Sequence, residues 1–80
     1  MEWTTRKLCY PEGDEREIEF TPPFNVLLDL NGTPLRLPLP SEKTLAYRVY
    51  SVRKHEGRGE TVIQYLLELV PAHELRGFVR

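Results

Sequence analysis

The dipeptide Asn31-Gly32 lies between two apolar runs in FNVLLDLNGTPLRLPL, residues 24–39. Both residues tolerate positive φ, and Asn-Gly flanked by alternating hydrophobics is the strongest short signal for a two-residue hairpin turn. With these two at the turn, Leu30 pairs with Thr33, Leu28 with Leu35, Val26 with Leu37 and Phe24 with Leu39. That single register puts the large apolar pairs on one face. The other face carries Asp29 opposite Pro34, Leu27 opposite Arg36 and Asn25 opposite Pro38, and is mostly solvent-facing. Pro34 and Pro38 have no N–H to donate, so residues 33–39 are expected to form a sheet edge, blunted against further pairing.

Two more hairpins are expected around it. Residues 4–10 and 16–21 flank Pro11-Glu12-Gly13-Asp14-Glu15, a turn-rich loop. Pairing Leu8 with Ile18 and Arg6 with Phe20 sets Lys7 opposite Glu19 on the outer face, a favourable cross-strand charge pair. Thr21-Pro22-Pro23 then ends the strand. Downstream, residues 45–53 and 61–70 enclose Lys54-His55-Glu56-Gly57-Arg58-Gly59-Glu60. In the second of these strands Ile63, Tyr65, Leu67 and Leu69 form a core-facing set at period two, and Val62, Gln64, Leu66 and Glu68 form a half-polar alternate face. Ile63, Leu66, Leu67 and Val70 also satisfy helical spacing, but the β-branched start, Pro71 and the hairpin context favour strand. In the first strand Leu45, Tyr47 and Val49 lie on one face and Ala46, Tyr50 and Val52 on the other. Periodicity does not choose between them.

Pro71-Ala72-His73-Glu74-Leu75 reads as one helical turn with proline at its start, and Gly77 releases the chain into a short final strand, 78–80. Three successive hairpins, a single turn and a terminal strand leave no room for crossover helices, which excludes a parallel sheet. The expected fold is therefore all-β: a small antiparallel meander curled into a partly open, SH3-like barrel of about five to seven short strands. One short helical turn falls near residues 71–75, and a single small domain spans residues 1–80.

At 80 residues such a chain buries only about 60% of its unfolded surface, so stability should be modest. Cys9 is the only cysteine, which rules out an intrachain disulfide and suits a reducing compartment. The opening residues lack the apolar run of a secretory signal, and no apolar stretch reaches membrane-spanning length. A cytoplasmic location without membrane attachment is expected.

Catalytic and metal chemistry find little support in the residues. His73-Glu74-Leu75-Arg76-Gly77 begins like His-Glu-x-x-His, but Gly77 stands where the second ligand is needed. Ser41 and Ser51 lie outside strained-turn nucleophile motifs, and Cys9 reads as a small buried hydrophobe. Glu12, Asp14, Glu15, Glu17 and Glu19 lack the ordered ligand series of a calcium loop and read as a solvated strand face. Gly57-Arg58-Gly59 lacks the spaced glycines and Lys-hydroxyl pair of a phosphate loop. No cofactor, no metal and no enzymatic activity are expected.

Binding is what remains. Val62, Gln64, Leu66 and Glu68 form a sheet face more apolar than an isolated monomer needs, which favours a protein partner or self-association. That case collapses if the N-terminal strand with Trp3, or the final strand, lies over this face. The alternative is RNA or single-stranded nucleic acid, held by Arg48, Arg53, Lys54, His55 and Arg58 with Tyr47 or Tyr50 stacking on a base. A net charge of −1, together with Glu56 and Glu60 beside those cations, weakens the alternative.

Overall fold

A computed structural model of the chain describes residues 3–79. Four strands, β1 (Trp3–Cys9), β2 (Glu15–Ile18), β3 (Tyr47–Gly57) and β4 (Glu60–Leu69), form one open sheet in the order β2-β1-β4-β3. One helical turn, α1 (Ala72–Leu75), and a 3₁₀ turn (Arg76–Phe78) follow. The all-β expectation holds, as does the helical turn after Pro71. Three parts of the expected architecture do not. The sheet has four strands rather than five to seven, it does not close into an SH3-like barrel, and it is mixed, since β1 runs parallel to β4.

The parallel pair arises from residues 19–46. Parallel neighbours need a connection long enough to return across the sheet, usually a helix. Here an irregular segment carries the chain from the β2 edge to the β3 edge. Its only sheet-like contacts are isolated bridges, Phe24 to Val49, Leu28 to Pro34, Leu28 to Tyr47 and Leu39 to Val79. The expected hairpin over 24–39 shrinks to its tip. The Leu35 N–H still donates to the Leu27 carbonyl at 2.8 Å; past it the chain leaves its partner, and the Leu39 N–H donates to the Phe78 carbonyl at 2.8 Å. The bridge of Leu39 to Val79 is the remnant of the expected final strand, of which Arg80 lies outside the described residues.

The turn itself differs by one residue. Gly32 N–H donates to the Asp29 carbonyl at 3.0 Å and Asp29 N–H to the Thr33 carbonyl at 2.8 Å, which makes Leu30-Asn31-Gly32 a three-residue loop with Gly32 at φ +82°. Asp29 Oδ1 selects this loop by accepting the Asn31 and Thr33 N–H groups at 2.8 and 2.9 Å. Leu28 therefore bridges Pro34 rather than Leu35. Leu28 and Leu39 are buried as expected, but Leu27, expected outward, is buried too, in the other part of the core, while Val26, Leu30 and Leu37 are exposed.

The β1–β2 turn is built alike, with Gly13 N–H bonded to the Tyr10 carbonyl, Tyr10 N–H to the Asp14 carbonyl, and Gly13 at φ +103°. Its register slips by two residues from the expected one, giving Arg6 opposite Ile18, Leu8 opposite Arg16 and Lys7 opposite Glu17. An even slip preserves the faces, so Leu8 and Ile18 both stay inside. The third turn is tighter than expected. Strands β3 and β4 run on to Gly57 and Glu60, leaving only Arg58-Gly59 between them.

A bulge at Tyr50 settles the ambiguous strand. Val49 registers with Leu67 but Ser51 with Leu66, so one extra residue is accommodated and the alternation changes sense. Tyr47 and Val49 face the core before the bulge; beyond it Val52 takes that side, opposite Tyr65, and Tyr50 itself is 57% exposed.

The core has two parts. Leu8, Tyr10, Ile18, Leu28, Tyr47, Val49, Tyr65 and Leu67 pack between the sheet and the crossing segment. Leu27, Leu39, Ala46, Val70 and Leu75 pack around α1. Adjacent residues Leu27 and Leu28 belong to different parts and join them. Tyr10 and Tyr47 meet edge to face at 5.3 Å, and the Tyr10 hydroxyl donates to the Leu30 carbonyl, tying the loop tip to β1.

Burial, and secondarily the nearby Glu12 carboxylate, raises the Tyr47 hydroxyl above its ordinary titration range. The folded state then keeps a proton that the unfolded chain releases above about pH 10, so stability falls as pH rises past that point. Tyr47→Phe is expected to shrink the drop in urea midpoint between pH 8 and pH 11. Its neutral-pH stability should change little, because the hydroxyl's contact with Glu12 is long, 3.5 Å.

Candidate functional site: the open sheet face

The crossing segment covers one face of the sheet. On the other, Thr5, Lys7, Cys9, Val62, Gln64 and Leu66 belong to neither core cluster. Strand pairing aligns its side chains in rows. Glu17, Lys7, Gln64 and Arg53 form one row across all four strands; Glu15, Cys9, Leu66 and Ser51 form the next. Thr5, Val62 and His55 make a shorter row toward the β3–β4 turn, and Trp3, 61% exposed, stands beyond it beside Glu60. Val62, Gln64, Leu66 and Glu68 are each half-buried and belong to neither core cluster.

The N-terminal strand was one candidate to cover this face. It lies beside β4 within the sheet and enlarges the face instead, adding Trp3, Lys7 and Cys9. That Trp3, Lys7 and Cys9 share a face with Val62 and Leu66 could not be read from sequence alone, because alternation along β1 gives its two sides but not the strand beside it. Cys9 is half-buried rather than fully buried, and its thiol contacts Glu15 Oε2 at 3.7 Å. Burial first, then the Glu15 charge, raises its titration above the ordinary thiol value, which keeps it protonated and poorly nucleophilic at neutral pH.

A polar bridge crosses the strands. Gln64 Nε2 donates to Glu15 Oε2 at 3.3 Å, and its Oε1 lies 3.2 Å from His55 Nε2. Glu15 is thereby drawn over β1 toward the centre. At the far end Arg48 donates to Glu68 at 2.5 Å and to Glu74 at 2.6 Å, pinning α1 to β3 and β4. Its hydrogen bonds to Glu68 and then Glu74 raise its already high titration further.

The expected cationic cluster is divided. Arg48 is occupied by two carboxylates, Lys54 projects to the opposite side of the sheet and pairs with Glu56 at 3.2 Å, and Arg58 stands at the turn. Besides the paired Arg48, only Arg53 and His55 of this cluster share the open face, on the β3 edge. Tyr50, not Tyr47, is the outward tyrosine. A shallow concavity of about 260 Å³ at the turn is lined by His55 and Arg58 but also by Glu56 and Glu60. Another, about 220 Å³, lies by the β1–β2 turn among Glu12, Asp14, Glu15, Arg16 and Tyr10. No group of three or more His, Cys, Asp or Glu side chains among the described residues is arranged to hold a metal ion. No helix among them is long and apolar enough to cross a membrane.

A family model described as an uncharacterised Treponema protein matches residues 7–78, a stretch that takes in most of the sheet and both C-terminal helical turns. No curated protein and no solved structure matches the chain.

Proposed function

The chain belongs to that uncharacterised Treponema family, and we propose that it acts as a small protein-binding module whose contact surface is the open face of the sheet. The observation that carries this reading is one continuous surface over four strands, with Val62 and Leu66 at its middle and Trp3 at its end, whose side chains belong to neither core cluster. Apolar side chains ringed by polar ones are the composition of a protein contact. A phosphate backbone fits less well. Glu15, Glu17 and Glu60 outnumber Lys7 and Arg53 on this face once Arg48 and Glu68 are set aside as a pair. A free thiol at Cys9 accords with a reducing, cytoplasmic setting.

The test is a photo-crosslinking residue in place of Val62, with exposed Lys43 as the control position, in cells that produce the chain. Protein adducts are expected from position 62, not from 43, and are expected to disappear when Leu66→Glu is added. Adducts to RNA in place of protein would reverse the assignment, and equal labelling from both positions would remove the site. Leu66 is only half-buried, so Leu66→Glu should leave the fold intact, as dispersed amide NMR signals would verify.

A further inference from the structure

Charge is distributed unevenly across the open face. Glu15 and Glu17 occupy the β2 edge, Arg53 and His55 the β3 edge, with Cys9, Val62 and Leu66 between them. Glu17 and Arg53 lie in the same row at opposite ends, and neither has an ion-pair partner among the described residues. We propose that the occupant of this face is a second copy of the chain, packed sheet on sheet about a two-fold axis parallel to the strands; this rests on the binding-module reading above.

Only one sense of packing suits these charges. A two-fold axis along the strands preserves height and exchanges left with right, so β2 of one copy lies over β3 of the other and β1 over β4. Glu17 then meets Arg53 of the second copy, twice by symmetry, while Cys9 faces Leu66, Lys7 faces Gln64 and Thr5 faces Val62. An axis across the strands would instead stack β2 on β2, setting Glu15 and Glu17 against their own copies. Complementary rims of this kind fix orientation and reject alternatives more than they add affinity. Sheets stacked face to face sit about 10 Å apart, with strands inclined by about 30° because each sheet twists. Long Glu and Arg side chains at the two rims can span such a gap, whereas the shorter Cys9, Val62 and Leu66 fill its middle. At about 4.8 Å between strands and about 3.3 Å per residue, the face measures roughly 15 by 23 Å. That is small for a dimer interface, so association should be weak and concentration-dependent.

Sedimentation of the full chain from about 1 μM to 1 mM tests the proposal. The expected result is a reversible monomer–dimer equilibrium that Glu17→Arg or Arg53→Glu weakens about tenfold, with the double exchange returning to within about threefold of the original. Both positions are exposed, so the fold should survive each substitution. A monomer at every concentration would overturn self-association, and a double exchange as weak as either single one would overturn the packing of Glu17 against Arg53. If such a monomer still gives an adduct with a different protein from position 62, the binding-module reading stands without the second copy. If it gives no protein adduct, both fail.

Discussion

Gly32→Ala is expected to destabilise the chain by about 2–4 kcal/mol, lowering the thermal midpoint by roughly 10–20 °C. Two costs add. At φ +82° an alanine takes up a left-handed conformation that costs roughly 1–2 kcal/mol for a residue with a Cβ. Its Cβ would also lie 2.7 Å from Leu8 Cδ1 and 3.3 Å from the Phe20 ring. Leu8 is fully buried at the centre of the sheet core, so it has little room to retreat. Gly13→Ala separates the two effects. Gly13 has a similar positive φ, but nothing stands within 4 Å of an added Cβ. Only the conformational part should remain there, about 1–2 kcal/mol. Thermal unfolding of both variants followed by circular dichroism measures the difference. Equal losses would mean that the loop tip does not press on Leu8.

Leu27→Ala and Leu28→Ala are each expected to cost about 2–5 kcal/mol, whereas Leu30→Ala should cost well under 1 kcal/mol. Leu28 is fully buried against the sheet and Leu27 is 5% exposed in the cluster around α1, while Leu30 is 53% exposed. A chain of this size has about 5–10 kcal/mol in total, so either large loss removes much of its stability at 25 °C. Leu27 discriminates most sharply. In a two-residue Asn31-Gly32 turn it would face solvent beside Arg36, and its truncation would be nearly silent. Urea unfolding of the three variants reads the register directly.

The turns were legible from residue chemistry. Pro11 to Gly13, Asn31-Gly32 and Arg58-Gly59 each reverse the chain, with glycine at positive φ in all three. The loop length at Asn31-Gly32 was not. It depends on Asp29 capping two N–H groups, on the Tyr10 hydroxyl meeting the Leu30 carbonyl and on Arg16 reaching the Asn31 side chain. Two of those contacts come from Tyr10, just after β1, and Arg16 in β2, distant in sequence. In the same way, alternation identified Val62, Gln64, Leu66 and Glu68 as one face. It could not add Trp3, Lys7 and Cys9, because nothing along β1 encodes β4 as its neighbour. Nor did it divide the cations, since the bulge at Tyr50 decides which of Arg53 and Lys54 turns toward the open face.

What the amino-acid sequence determined by itself was local: strand periodicity at β1 and β4, glycine at the reversals, Pro71 ahead of one helical turn, and β rather than helical character throughout. These follow from backbone sterics and from hydrogen bonds between near neighbours in the chain. What only the tertiary structure decided was the parallel joining of β1 to β4 and the course of residues 19–46 from the β2 edge to the β3 edge. Those choices rest on burying Leu27 and Leu28 in two separate clusters and on pairing strands some fifty residues apart. Contacts of that range are set by the packing of the whole molecule, and they leave the other face of the sheet open.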